Sequence, residues 1–449
     1  MSSQAPALPR GSALRQPLRL LASVLSLRYF LLRASTAGAA VAFGLVQTFV
    51  FARVLGADTF SLYILIGTFG VSLWLFDLGA AKILFVRQRE RHLAGSRDGT
   101  VPAQSAAVVL LYALIVLAGA ICCFAVIAMR TSPGGALDYA MFFTFAALNL
   151  VWFPLRNVSN AVDEFIRFET LEAVRRIGHI GLMLALLAGL PFEAFLIAAN
   201  VLWAAVFAIC IVSLSRAGAL MLPRGFAKTL AAFWRRNRAE LLRSGNYAVA
   251  ELAIYNFPYF VVPAAFGLGA PTIVLDTVFK VFRGATLVYA AGLDPLVPKQ
   301  TRAMAEGDAP ALKRATLTAF VLCAVPTLAL CALLLLAGDN LFALLLGHAA
   351  TVPPAATELL VVLLIANLAQ NVASNLLLHT GFFRDIARIA TILAAAMAAM
   401  TVVAIAAGAG IVGFIGGYTA VYLGGAALYL VALWRGPFGS AVKGETSAA

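Results

Sequence analysis

Residues 106–128 read AAVVLLYALIVLAGAICCFAVIA, 23 residues without one charged side chain. Coiled into an α-helix at 1.5 Å per residue, such a stretch is about 35 Å long, enough to cross the roughly 30 Å hydrocarbon core of a bilayer. Eleven further stretches of comparable character follow the same logic. The twelve are centred on residues 29–52, 60–81, 106–128, 139–158, 177–190, 192–214, 247–266, 272–297, 315–336, 356–378, 386–407 and 411–434. Composition agrees with this reading. Of 449 residues, 62% are apolar and 12% charged, against roughly 45–50% and 25% in a soluble domain. There are too few polar side chains to cover a water-facing globule, so lipid must solvate much of the surface. The expected fold class is an all-α polytopic membrane protein of about twelve helices.

A net charge of +13 would suggest nucleic acid in a soluble chain; here topology accounts for it. Cytoplasmic segments of membrane proteins collect Lys and Arg. With the N-terminus inside, 31 of the 33 Lys and Arg fall on the cytoplasmic side or its flanking turns, leaving only Arg53 and Arg130 outside. Both termini are therefore expected in the cytoplasm, and the membrane is expected to be the inner, cytoplasmic one. The implied organisation is a basic segment (1–28), a six-helix bundle (29–214), a basic linker (215–245), a second six-helix bundle (246–434) and a tail (435–449). Residues 1–28 lack the short apolar core and small-residue site of a cleaved signal peptide. In the linker, Phe226, Leu230, Phe233, Trp234 and Leu241 approximate one helical face, with Arg235, Arg236, Arg238 and Arg243 elsewhere. That pattern predicts an amphipathic helix lying at the lipid interface.

Several function classes drop out. The longest loop, about thirty residues, is below the size at which a soluble domain holds a core unaided. No G-x-x-x-x-G-K-[ST] loop is present to cradle nucleotide phosphates, and His92, His179, His348 and His379 form no H-E-x-x-H pattern. All five cysteines (Cys122, Cys123, Cys210, Cys323, Cys331) fall inside spans without metal-ligand spacing and are expected to be buried packing residues. No metal or organic cofactor is expected. Transport is the simplest remaining activity; coupling to protons or sodium stays unassigned.

The halves also resemble each other. At an offset of 213, residues 52–63 and 265–276 match at Ala52/Ala265, Leu55/Leu268, Gly56/Gly269, Ala57/Ala270, Thr59/Thr272 and Leu62/Leu275. Both segments join the first helix of a half to its second. Six-helix halves of like orientation imply a parallel repeat about an axis normal to the membrane, with a substrate path between the bundles.

Charges inside spans are costly and tend to face a cavity. In the eighth span, Asp276, Lys280 and Arg283 stand at i, i+4 and i+7, on one helical face. Lys280 and Arg283 lie about 12 and 16 Å into it, near the bilayer middle. This cationic stripe suits an anionic cargo; the alternative is a self-satisfying Asp276–Lys280 pair that leaves Arg283 in need of a partner. Glu251 can pair with Arg283 or titrate during transport. Asp77 can bond neighbouring helices, the favoured reading, or serve a gate. Arg33 can join the cationic lining or reach back to the interface. Asn149, Arg156 and Asn160 share a face that suits a charged head group, with topogenic charge and packing as the alternative. Asn367, Gln370, Asn371, Ser374 and Asn375 can bond sugar hydroxyls or neighbouring helices.

Arg53-Val-Leu-Gly56, then Tyr63, then Phe76-Asp77-Leu-Gly79 with basic residues after it, resemble the N-terminal pattern of the polysaccharide biosynthesis family of flippases. Pro298 and Gly307-Asp308 resemble that family's break before the ninth span. The family shares a superfamily with multidrug and toxin extruders and lipid II flippases. The resemblance implies a flippase that moves an undecaprenyl-diphosphate-linked oligosaccharide from the cytoplasmic to the outer leaflet for exopolysaccharide, O-antigen or capsule synthesis. Its partners would be membrane lipids and, in assembly, a polymerase and export proteins. Under it, Lys280, Arg283, Arg33 and Arg156 would serve the diphosphate, and Asp77, Glu251, Asp276, Asn367 and Asn371 would line or gate the cavity. A drug extruder of the same superfamily, whose lining would favour acidic residues, is the alternative. A membrane polymerase would need a larger outward loop, and a nonenzymatic scaffold would tolerate cavity mutations.

Overall fold

The computed structural model describes residues 27–293 and 296–439. Among them every regular element is helical. In the first half these are α1 (Leu27–Val54), α2 (Ala57–Ser72), a 3-10 turn (Leu73–Asp77), α3 (Ala80–Leu93), α4 (Thr100–Ala128), α5 (Pro133–Ala147), α6 (Asn149–Ala161), α7 (Phe165–Leu187) and α8 (Phe192–Arg216). The second half holds α9 (Phe226–Tyr255), α10 (Phe257–Phe266), α11 (Ala270–Leu293), α12 (Val297–Ala305), α13 (Ala309–Leu346), α14 (Pro354–His379), α15 (Phe383–Ala406) and α16 (Gly410–Leu433).

Nine helical segments among the described residues are long and apolar enough to cross a membrane, and the bent pair α9–α10 makes ten. The remaining two of the twelve, α7 and α11, have the length but carry charge: α7 holds Arg167, Glu169, Glu172, Arg175 and Arg176, and α11 holds Asp276, Lys280 and Arg283. The repeat is visible in the elements. Ala57 opens α2 and Ala270 opens α11, 213 residues apart, and each second span is followed by a short basic helix, α3 or α12.

Broad apolar surfaces stay exposed, including Leu117, Ile121, Leu328, Leu336 and Val402, as expected where lipid is the solvent. Between helices, association rests on close packing and hydrogen bonds rather than on escape from water. At Gly70 of α2, a Cβ would sit 2.9 Å from the Phe143 carbonyl of α5 and 3.0 Å from the Ala146 Cβ, so hydrogen alone fits there.

Two spans break where their sequences require it. The second ends in the 3-10 turn, with Leu78 at φ 45° and Gly79 at φ 82° before α3 starts. The seventh bends by 41° at Asn256. Pro258 has no N–H to offer Ile254, and the Tyr259 amide bonds the Asn256 carbonyl at 3.0 Å instead of Tyr255. The bend thus leaves the Tyr255 carbonyl open to other donors.

The structure corrects three expectations. The fifth span does not start at residue 177: α7 begins at Phe165, and Glu169, Glu172 and Arg175 are buried inside the bundle rather than in a cytoplasmic loop. The linker is not a separate helix: it continues into the seventh span as α9, and Phe233 and Leu241 of its apolar face are 1% exposed, with α4 and α15 packed against α9. Cys122 is exposed and Cys123 half-buried on α4, whereas Cys210, Cys323 and Cys331 are buried as expected. The side chain of Arg33, residues 1–26 and the tail beyond 439 lie outside the described residues.

Candidate substrate cavity

A cavity of about 280 Å3 lies between the halves, walled by α1, α2, α5, α6 and α7 on one side and α10 and α11, with Asn256 at the bend before α10, on the other. The stripe on α11 faces it. Asp276, Lys280 and Arg283 all line the wall, together with Asn149, Arg175 and Arg176.

Each charge has defined partners. The Lys280 ammonium lies 2.7 Å from the Asp276 carboxylate and donates to the Thr48 hydroxyl of α1 at 2.8 Å. Asp276, 4% exposed, also accepts from the Tyr259 hydroxyl at 3.3 Å. Arg283 has neutral acceptors: the Tyr255 carbonyl freed by the bend, and the Asn256 Oδ1 at 2.9 Å. Its guanidinium stands 5.1 Å from the Tyr259 ring centroid, and its buried Nε–H has no acceptor among the described residues.

Across the cavity, Glu172 holds two arginines. It accepts from Arg175 at 2.7–3.0 Å and from Arg176 at 2.5 Å. Arg175 is buried and its guanidinium stacks on Trp203 at 3.9 Å, which fixes it against the wall. Arg176 keeps a quarter of its side chain accessible. Among the described residues, the four cations Lys280, Arg283, Arg175 and Arg176 meet the carboxylates of Asp276 and Glu172, with Glu251 on the wall of a neighbouring cavity that Arg283 also lines, so the site keeps a net positive charge. Between apolar helices, that excess creates a potential favouring an anion.

A second cavity, about 250 Å3, adjoins the first. Val71, Trp74 and Leu75 of the second span and Leu252 and Tyr255 of α9 line it, with Glu251 also on its wall. The two cavities share Val71, Asn256 and Arg283. Arg283 therefore stands where a charged chamber meets a mostly apolar one.

The other sequence-derived residues sit elsewhere. Asp77 accepts from the backbone of Gly79 and Ala81 and from the Tyr112 hydroxyl, securing the start of α3. Arg156 pairs with Glu169 at 3.1 Å, whose second oxygen takes the Thr36 hydroxyl. Asn367 is fully buried, donating to Thr286 at 3.0 Å and accepting from Tyr422 at 3.1 Å and from Asn371 at 2.6 Å. This amide knot ties α11, α14 and α16 together and does not line either cavity. Arg175 and Arg176 escaped sequence reasoning because their run of charge resembled a loop. The spacing Glu172, Arg175, Arg176, which lets one carboxylate reach both arginines along a helix, was the signal available.

No protein-family model and no curated protein matches the sequence. Solved structures do match it. A multidrug resistance MATE family transporter of the MOP superfamily, in its inward-facing conformation, aligns with a TM-score of 0.66 at 14% identity, covering 94% of this chain and 100% of that one. The eukaryotic MATE transporter AtDTX14 aligns at 0.62 and 14% identity, over 95% and 98% of the two chains. A MOP superfamily transporter from Pyrococcus furiosus, described as having a binding pocket of reverse polarity that suggests a different function, aligns at 0.61 and 11% identity, over 92% and 95%. The chain is therefore a multi-pass membrane protein with the MATE transporter fold, about twelve helices in two bundles.

Proposed function

We propose that this chain is an alternating-access transporter whose cavity takes the anionic head of an amphiphile, and that its cargo is a polyprenyl-diphosphate-linked oligosaccharide carried outward for polysaccharide synthesis. The observation that carries this reading is the net positive lining, with Arg283 supplied only with neutral hydrogen-bond acceptors among the described residues. A diphosphate would be a better acceptor than a carbonyl and an amide, since hydrogen bonds between two ions are the stronger kind. The adjoining apolar cavity offers room for the start of a hydrocarbon chain. Outward movement of each uncompensated negative charge would gain about 2.3 kcal/mol per 100 mV of inside-negative potential. An oligosaccharide needs more room than 280 Å3, which is just below the roughly 300–1,000 Å3 usual for ligand pockets, so the bundles must part to admit it.

The second reading, export of a small molecule or drug, is favoured by the likeness to multidrug transporters and by the size of the cavity. Binding separates the two. The purified protein is titrated with undecaprenyl diphosphate and, separately, with a cationic dye, following tryptophan fluorescence. Under the first reading, undecaprenyl diphosphate binds, pyrophosphate competes, and Arg283→Ala weakens binding roughly 10- to 100-fold through loss of a charged hydrogen bond. Saturable dye binding that ignores Arg283→Ala, with no response to the diphosphate, would establish the extruder instead.

A further inference from the structure

The Arg53-Val-Leu-Gly56 segment lies at the end of α1, on the face opposite the basic loops, and Arg53 does not line either cavity. Its guanidinium reaches across to the other half. One nitrogen donates to the Leu345 carbonyl at 3.1 Å and the other to the Leu344 carbonyl at 2.5 Å, while the group is steadied over the Phe49 ring at 3.6 Å. Both carbonyls belong to the last turn of α13, which ends at Leu346. Such carbonyls lack intrahelical donors and carry the negative end of the helix dipole, so a forked cation is a fitting cap.

One more contact joins the halves on the same face. The Gly269 amide, at the turn into α11, donates to the Ser61 hydroxyl of α2 at 2.9 Å. Gly269 has φ 97°, a conformation closed to other residues without strain. Deeper in, the Phe69 and Phe260 rings meet across the halves, 4.5 Å apart. Gly269 is the repeat counterpart of Gly56, so the duplicated junctions of the two halves meet each other here.

We propose that Arg53, supported by the Ser61–Gly269 contact, is the releasable latch of an outer gate: it closes the cavity on the face away from the basic loops, and its release opens the cavity to that side. Recognition through backbone carbonyls makes the latch depend on the guanidinium fork rather than on the side chains at the end of α13. Arg53 is exposed, and exposed charged contacts are weak. Weakness suits a gate, because a cargo or ion can shift a two-state equilibrium only by its differential affinity for the two states.

The test needs no substrate, so its outcome is independent of what the cavity carries. Thr68, which lines the cavity, is changed to Cys in a chain with Cys122→Ser and Cys123→Ser, and labelling by a membrane-impermeant maleimide from outside intact cells is timed. Arg53→Ala should speed labelling roughly fivefold, a contact of the exposed class having been removed. Arg53→Gln, which retains one donor group, should give a smaller rise and carries the test if the alanine variant fails to fold. Arg130→Ala, the other cation on that face, should leave the rate unchanged. Unchanged labelling in the folded Arg53 variants, or an equal rise in Arg130→Ala, would overturn the latch.

Discussion

Both oxygens of Asp77 are engaged: Oδ1 accepts from Ala81 N–H at 3.1 Å and the Tyr112 hydroxyl at 2.9 Å, and Oδ2 from Gly79 N–H at 3.1 Å. That carboxylate holds a tight reversal in which Leu78 takes a left-handed conformation uncommon for a side-chain-bearing residue. Asp77→Ala should cost about 1–3 kcal/mol, seen as a lower unfolding temperature in detergent, and Asp77→Asn should cost less because an acceptor oxygen remains. Glu172 presents a harsher case. Removing its charge leaves the buried Arg175 without a counter-ion, and breaking such a pair typically costs about 3–5 kcal/mol. Glu172→Gln should therefore lower the unfolding temperature more than Arg176→Gln, whose loss leaves the Glu172–Arg175 pair intact.

Among the elements, α2 and α5 pack backbone to backbone at Gly70, where a Cβ would meet the Phe143 carbonyl at 2.9 Å. Gly70→Val should force the helices apart, at a cost of about 1–3 kcal/mol or more, visible in thermal unfolding; a valine at Gly134, where a Cβ meets nothing within 4 Å, should not. The apolar helices were legible in the sequence because length and hydropathy suffice to define them. The eighth span was legible too, since the i, i+4, i+7 spacing of Asp276, Lys280 and Arg283 placed them together, and the structure sets all three on one cavity wall. The fifth was misread over its first three turns. Hydropathy counts each charge as a cost, whereas Arg156–Glu169–Thr36 and Glu172–Arg175–Arg176 cancel that cost through partners on the same and adjacent helices. Pro258 was a local signal for the bend at Asn256, but the meeting of the freed Tyr255 carbonyl with Arg283 is a tertiary contact that no local pattern reports.

For the molecule as a whole, the charge distribution makes a topological prediction. Green fluorescent protein fused to the C-terminus should fluoresce in the cytoplasm, and a phosphatase fused after residue 130 should be active outside the membrane. The opposite pattern would reverse the orientation and with it the side assigned to the Arg53 latch. The repeat shows how little symmetry the site keeps: α2 and α11 start at equivalent positions, yet α11 supplies three charges to the cavity and α2 none. The first half contributes its cations from α7 instead.

That asymmetry puts a particular demand on α1. Its threonines meet the two spans least suited to lipid: Thr36 bonds Glu169 of α7, and Thr48 bonds Lys280 of α11. A nascent helix burdened with charge partitions poorly from the translocon into lipid. Here α1, which precedes both in the chain, holds one hydroxyl against each of them, so a single helix gives both charged spans a polar partner within the bundle while forming one wall of the cavity.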